Sequence, residues 1–287
     1  MPLVCRPLGL GLVVFAAIAA GSTAEVSAEA ARPDSFVDLQ LVLAVDVSKS
    51  MASLGDIKQT LQRNGYVEAF LSPDVQRAIT SGPYGRIAVT YIEWSSPGYQ
   101  RVVVPWRVIA DRGDAEVFAA DLAKAPMSLD FSTSISAALL YAEGLFRKSG
   151  LESTRRAIDV SGDGTNNGGR SLPPVRDQVL RQGIVINGLP ILIDTKPVYS
   201  GGTLADYYED CVIGGPGSFL IAIGDLSQFA EATRRKLVRE ITSRPETASA
   251  GPARLIRVAE GGLPRQKTNC VWEEEAPLLQ DDVVGNP

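Results

Sequence analysis

The stretch 37–51, VDLQLVLAVDVSKSM, joins an apolar run to an abrupt polar end. Residues 39–45 are almost continuously apolar, which is typical of a strand that is covered on both faces. Asp46 follows, and Ser48 and Ser50 come at alternate positions after it. Because side chains alternate along an extended chain, these three point to one side. One carboxylate and two hydroxyls therefore face a common point at the end of a predicted strand.

Further apolar runs alternate with amphipathic segments along the chain. The pattern predicts strands at 39–48, 86–95, 100–109, 155–164, 183–192 and 218–223. It predicts helices from about Leu54 to 72–74, at 114–125, around Ile135–Phe146, at 173–183 and around Phe229–Ile241. Strands that alternate with helices favour βαβ units. We therefore expect an α/β fold: a Rossmann-like three-layer αβα sandwich around a mostly parallel sheet.

Composition excludes several function classes. The 287-residue chain has no histidine, which excludes Ser-His-Asp and Cys-His catalysis and removes the usual nitrogen ligand of zinc. The formal net charge of -5 and the lack of a Lys/Arg cluster argue against nucleic acid as a partner.

The N-terminal residues are typical of a secretory signal peptide. Arg6 precedes an apolar stretch at 8–20, and small residues follow at 22–24. The alternative is a membrane anchor, but a spanning helix needs about 20 apolar residues. We expect a signal peptide at 1–24, a linker at 25–36, a folded domain at 37–243 and a flexible tail at 244–287. The protein would then be exported, to the periplasm or else secreted, with no stable membrane span after signal removal.

After signal removal two cysteines remain, Cys211 and Cys270. An isolated pair in an oxidising compartment predicts one disulfide, which would tether the tail. The alternative is two unrelated thiols.

Three polar stretches fall where strands end or a helix starts: DVSKS (46–50), DFSTSIS (130–136) and SGDGTNN (161–167). In open α/β sheets, ligands bind beyond the carboxyl ends of the strands. The stretches offer five oxygen side chains: Asp46, Ser48, Ser50, Thr133 and Asp163. Such ligands suit Mg²⁺, Mn²⁺ or Ca²⁺. The alternative is that Ser48, Ser50 and Asp163 cap the helices that follow them.

These motifs, with GRIAVTYIEWS (85–95), VVVPW (102–106) and YYEDCVIGGPGSF (207–219), resemble a von Willebrand factor A-type domain. A bacterial family of exported A-like proteins, catalogued as a domain of unknown function, is similar in more detail. The resemblance implies a six-stranded sheet with one antiparallel edge strand and a metal-ion-dependent adhesion site, or MIDAS. Ser48 and Ser50 would ligate the ion directly, Thr133 directly or through water, and Asp46 and Asp163 largely through water. It also implies binding of a partner protein through an acidic side chain, with Mg²⁺ as the favoured ion and no enzymatic activity.

Several residues depart from the A-domain pattern. Lys49 would weaken ion binding unless it points to solvent, as its opposite parity allows. The loop before Thr133 is not glycine-rich, so Ser132 or Ser134 could replace Thr133, and Asp130 could add a carboxylate.

Other functions remain open from the residues alone. Asp46 could be a phosphatase-type nucleophile, but Ser48 stands where a haloacid-dehalogenase-type phosphatase has its acid, and a hydroxyl is a poor proton donor. A metal-free interaction domain is the main alternative. Glu93 and Trp94 end the second predicted strand, where they either line the ligand face or are a solvated glutamate beside a packed tryptophan. Residues 207–210 form an acidic, aromatic patch of unknown use.

Overall fold

The computed structural model describes residues 35–195, 202–243 and 267–270. The strands are β1 (Phe36–Asp46), β2 (Ile87–Trp94), β3 (Gln100–Ile109), β4 (Glu152–Gly162) and β5 (Ile184–Pro190). The helices are α1 (Ile57–Leu71), α2 (Pro73–Thr80), α3 (Arg112–Lys124), α4 (Ile135–Lys148), α5 (Leu172–Arg181), α6 (Leu204–Tyr207) and α7 (Phe229–Thr242). The predicted signal peptide, and most of the predicted linker and tail, lie outside the described residues.

The five strands form one sheet in the order β3-β2-β1-β4-β5. β1 lies at the centre and pairs in parallel with both β2 and β4, and β4 pairs in parallel with β5. β3 pairs antiparallel with β2 at the edge. The structure thus confirms the α/β fold with a mostly parallel sheet and one antiparallel edge strand.

The expected sixth strand at 218–223 is wrong as a strand. Its backbone lies beside β5 and is joined by isolated bridges, Leu220 with Gly188 and Ile223 with Ile191. The amide of Gly188 donates to Phe219, but the next bond of a ladder would have to come from Pro190, which has no N–H. A proline at the end of β5 therefore prevents a continuous ladder.

Alternate residues of β1 enter two separate cores, as its period of two requires. Leu39, Leu41 and Leu43 pack with side chains of α1, α2, α3 and α7 on one face of the sheet. Val42 and Ala44 pack with α4, α5 and α6 on the other. Each fully buried leucine or valine side chain contributes about 1.5–3 kcal/mol to the stability of the folded chain. The two cores make the three-layer sandwich and hold β1 rigidly up to Asp46.

Two helices, α2 and α6, lie outside the helices that the sequence pattern predicts. The pattern that begins near Leu54 was expected to end the helix at 72–74, and α1 does end at Leu71. Ser72 then caps α2: its Oγ accepts the Val75 amide at 3.3 Å, and Pro73 stands in the first turn. Serine followed by proline ended one helix and started another, because proline is well tolerated at the first helical position.

Cys211 and Cys270 form a disulfide across a sequence separation of 59 residues. Cys211 is fully buried in a short π-helical segment, Tyr208–Val212. The Thr268 amide also donates to Asp210 Oδ2 at 2.8 Å. Residues 267–270 of the predicted tail are therefore attached to the domain.

Candidate metal centre

Three loops bring the five candidate side chains to the carboxyl edge of the sheet. Asp46 ends β1, and Asp163 directly follows β4, its parallel neighbour. Thr133 lies two residues before α4. The Asp130 amide donates to Val47 at 3.1 Å, and this contact joins the Thr133 loop to the loop after β1.

Asp46 is fully buried, and one of its oxygens lacks a partner. Oδ1 accepts the Ser48 amide at 2.7 Å, and among the described residues no hydrogen bond of ordinary geometry reaches Oδ2, although the Ser48 hydroxyl and the Asp163 amide interact with the carboxylate and lower its pKa. Burial, and then the charge of Asp163, raises the pKa of Asp46 to about 8. Buried carboxylate oxygens are normally hydrogen-bonded, so a bare one indicates a place for a proton or a cation.

The two serines turn their hydroxyls toward the same point rather than toward helix amides. Ser48 Oγ lies 3.2 Å from Ser50 Oγ, and Ser50 Oγ donates to Asp163 Oδ1 at 2.5 Å. The Ser48 side chain makes no capping hydrogen bond, and Ser171, not Asp163, occupies the N-cap of α5. Ser48 stands at the N-cap position of a short 3-10 helix, Lys49–Ala52, without a side-chain capping bond, so the contacts give no support to capping by the side chain of Ser48 or of Asp163.

Thr133 is buried, and two asparagines hold its loop. The Thr133 amide donates to Asn167 Oδ1 at 2.8 Å, and the Asn167 amide donates to the Thr133 carbonyl at 2.8 Å. Asn166 Oδ1 accepts the Ser136 amide at 2.9 Å. Residues 163–167 therefore supply both a carboxylate and the clamps that position the threonine, a role that sequence reasoning missed.

The alternatives to Thr133 have other partners. Ser134 Oγ accepts the Ala137 amide at 3.3 Å and caps α4. Asp130 accepts hydrogen bonds from the amide and the hydroxyl of Ser96, and these hold the pKa of Asp130 below its usual value. For Ser132, the contact described is at its carbonyl, which accepts the Ser95 hydroxyl. Thr133 thus remains the best hydroxyl candidate of this loop.

Two glycines allow the loops to approach closely. A Cβ at Gly162 would lie 2.7 Å from Asp46 Oδ2, and a Cβ at Gly164 would lie 3.3 Å from Thr133 Oγ1. The first distance is shorter than carbon and oxygen tolerate, because an uncharged contact needs more than about 3 Å. Glycine on both sides of Asp163 therefore leaves space for both neighbours.

Lys58 is the charged residue that sequence reasoning missed. Its Nζ lies 2.5 Å from Asp163 Oδ2, and the two side chains are 0% and 1% exposed. Lys49, which the sequence singled out, is exposed. No sequence signal marks Lys58, since it stands in the first turn of a helix next to the apolar Ile57.

The residues present fit a hard divalent cation through carboxylates and hydroxyls. No group of three or more His, Cys, Asp or Glu side chains that could hold a metal occurs in the part of the chain that the structure describes. A cation at this edge would therefore need the hydroxyls of Ser48, Ser50 and Thr133 as ligands. The bare Oδ2 of Asp46 supports the fit, because a cation satisfies a buried oxygen that has no donor.

Two further sequence interpretations change. Trp94 is packed in the core, but Glu93 is buried rather than solvated and pairs with Arg63 and with Arg101 at 2.8 Å. The aromatic residues of the 207–210 patch are buried, and the Tyr207 hydroxyl accepts the Asn166 amide at 3.2 Å.

Comparison with known proteins places the chain in a family. A family model described as "Protein of unknown function (DUF1194)" matches residues 36–245, and the chain belongs to that family. A comparison with curated proteins finds no match.

Several solved structures are similar in fold. They include von Willebrand factor type A from Catenulispora acidiphila (TM-score 0.53, 14% identity, 71% of this chain and 43% of that one) and the pilus adhesin SpaC from Lactobacillus rhamnosus GG (0.54, 15%, 72% and 30%). A third is proximal thread matrix protein 1 from the mussel byssus (0.53, 14%, 72% and 46%). This chain thus spans less than half the length of each. At these identities the likeness shows the von Willebrand factor A-type fold.

Proposed function

We propose that this protein is an exported binding module that holds a divalent cation at Asp46, Ser48, Ser50, Thr133 and Asp163 and uses it to bind an acidic side chain of a partner protein. The observation that carries the proposal is Asp46 Oδ2, a buried carboxylate oxygen that accepts no hydrogen bond from the described part of the chain and lies beside two converging hydroxyls. One similar structure, of the mussel thread matrix protein, is described as having a "zinc occupied MIDAS motif", and this supports a cation at the equivalent edge.

The protein groups have separate roles in this proposal. Asp46 and Asp163 supply the negative charge, and the neutral hydroxyls of Ser48, Ser50 and Thr133 supply oxygens without further charge. Such a centre leaves a bound ion electrophilic, so that an outside carboxylate can complete its ligands. Mg²⁺ is the favoured ion, and Mn²⁺ or Ca²⁺ use the same oxygen donors.

The surface near the centre is suited to a protein partner. Eight large hydrophobic side chains are exposed in the described residues, and five of them lie in the two loops next to the centre or in the first turn of α1: Leu54, Ile57, Met127, Leu129 and Phe131. Phe131 is 81% exposed. Apolar groups concentrated on a surface are typical of interaction sites. We therefore expect a partner whose acidic residue has apolar neighbours.

Export is supported by the Cys211–Cys270 disulfide, since such bonds persist in oxidising compartments. Among the described helices, none is long and apolar enough to cross a membrane. Periplasmic location is the proposal, and secretion is the alternative.

Calorimetric titration of Mg²⁺ and Mn²⁺ into the exported chain tests the cation. We expect one binding site per chain that is lost in Asp46→Ala and Asp163→Ala. Identical titrations of all three proteins would contradict the proposal and favour a metal-free interaction domain. Metal-dependent hydrolysis of a generic phosphate ester that is lost in Asp46→Asn would instead indicate an enzyme.

A further inference from the structure

We propose that Lys58 is a built-in competitor of the divalent cation, whose ammonium group neutralises Asp163 in the cation-free protein and opposes cation binding at that carboxylate. The inference rests on the proposed function, because it concerns the same centre.

Both oxygens of Asp163 already have partners from the chain. Oδ2 lies 2.5 Å from Lys58 Nζ, and Oδ1 accepts the Ser50 hydroxyl at 2.5 Å. Asp46 differs, since its Oδ2 is bare. A cation can therefore reach Asp46 without displacing a partner, but it reaches Asp163 only beside or in place of an ammonium group.

The position of Lys58 in its helix is unfavourable without this contact. Lys58 is the second residue of α1, and the first turn of α1 contains no acidic residue. A positive charge at a helix N-terminus is disfavoured by the helix dipole, and a buried ammonium group needs a partner. Asp163 supplies that partner across 105 residues of sequence. The lysine is thus held by the centre and not by its own helix.

The charge balance gives the expected effect on a cation. With both carboxylates ionised, Asp46, Asp163 and Lys58 sum to -1, whereas without the lysine the sum is -2. In a buried environment, two positive charges at one carboxylate, here the Lys58 ammonium group and the divalent cation at Asp163, repel each other strongly. Lys49 is also positive and follows Ser48 directly, but it is exposed and therefore screened. The chain thus contains a matched lysine for comparison.

The test is a calorimetric titration of Mn²⁺ into the wild-type exported chain, Lys58→Met and Lys49→Met. We expect Lys58→Met to bind Mn²⁺ about tenfold more tightly or better, and Lys49→Met to change the affinity by less than about threefold, as exposed charges do. Equal or weaker binding in Lys58→Met would overturn the inference and leave the proposed metal centre standing. Absence of Mn²⁺ binding in all three proteins would overturn both.

Thermal unfolding, in chelator and in Mn²⁺, gives a second measurement that does not require a titration. Lys58→Met should have a lower Tm than the wild type, because Asp163 loses its buried partner, and Mn²⁺ should raise its Tm more than that of the wild type. The double variant Lys58→Met with Asp163→Asn removes both charges. It should recover much of the chelator Tm and respond less to Mn²⁺. A double variant that is as unstable as Lys58→Met would overturn the inference. The double variant keeps the inference testable if the single variant is difficult to purify.

Discussion

Two buried lysine–aspartate pairs lie along β4, and they differ in what surrounds them. Lys58 meets Asp163 just past the end of the strand, and Lys236 of α7 meets Asp159 inside it at 2.7 Å. All four side chains are at most 1% exposed. Similar pairs of residues thus occupy the edge of the sheet and its interior.

The interior pair belongs to a larger network. Lys236 also lies 3.4 Å from Glu240 and 5.2 Å from the centre of the Phe219 ring. Glu240 accepts Asn187 Nδ2 at 2.7 Å. The edge pair instead adjoins the bare Asp46 Oδ2 and the exposed Ser50. The interior pair joins α7 to the sheet, whereas the edge pair is the one for which we propose an exchange of lysine for a cation.

The largest expected effect is on stability at the interior pair. Lys236→Met leaves Asp159 and Glu240 buried without their cation, and breaking such a pair costs about 3–5 kcal/mol. We expect this loss of unfolding free energy in urea denaturation, with no recovery on adding Mg²⁺. Recovery by Mg²⁺ would contradict the distinction between the two pairs. Adding Asp159→Asn to the variant should recover part of the loss.

A buried aspartate in each of the two regions should make stability fall as the pH rises. Burial raises the pKa of Asp159 to about 7 and that of Asp46 to about 8, from 3.8 in each case. The folded state therefore holds these protons more tightly than the unfolded state. The stabilisation is fully present below pH 3.8 and is lost as the pH rises through 7–8, by up to about 1.4 kcal/mol per pH unit for each group.

Asp46→Asn separates the contribution of the edge. In chelator, the stability of the wild type relative to Asp46→Asn should fall as the pH rises from about 5 toward 8, as measured by urea denaturation. This range lies between the ordinary pKa of Asp46, 3.8, and its raised value in the folded protein, about 8. Parallel pH profiles of the two proteins would show that Asp46 does not titrate abnormally.

The next effect concerns the space around Asp46. Gly162→Ala should displace its carboxylate and cost about 1–3 kcal/mol, as overpacking does, together with a loss of Mn²⁺ affinity. Gly164→Ala is the matched control, because its Cβ would meet Thr133 Oγ1 at the milder distance of 3.3 Å. Calorimetry and urea denaturation of both variants check this order, and a larger effect of Gly164→Ala would contradict it.

The smallest effect on stability is expected at the exposed rim. Phe131→Ser should change the unfolding free energy by less than about 0.5 kcal/mol, because the side chain is largely in water. It should leave Mn²⁺ affinity unchanged and weaken chelator-sensitive binding of a partner in a periplasmic extract. Val117→Ser, at an exposed helical position, is the control. Equal partner binding by both variants would remove Phe131 from the interface.

Local pattern was sufficient for most of the fold. The apolar run before Asp46 predicted the central strand, because a strand covered on both faces must be apolar throughout. Alternation along an extended chain predicts Asp46, Ser48 and Ser50 on one side, but β1 ends at Asp46 and Ser50 lies in a short 3-10 helix, Lys49–Ala52, so the approach of the two hydroxyls has a different local cause. The prediction of a sixth strand was wrong because Pro190 has no N–H to donate. The effect of that missing donor depends on which neighbour it faces, and the local pattern does not show this.

The charged partners could not be predicted in the same way. Lys58 and Asp163 are far apart in sequence, and nothing near either residue marks the pair. Glu93 was expected in solvent for the same reason, since its partners Arg63 and Arg101 meet it only in the folded chain. Periodicity shows which face a residue occupies, whereas ion pairs depend on how faces of distant elements meet.

The central claim is that the carboxyl edge of the sheet holds a divalent cation, and anomalous diffraction from crystals soaked in Mn²⁺ tests it most directly. We expect one strong anomalous peak at ligand distance from the hydroxyls of Ser48 and Ser50, near Thr133 and the two aspartates, with Lys58 moved away from Asp163. A map without a peak there, with the Lys58–Asp163 pair intact at saturating Mn²⁺, would contradict it.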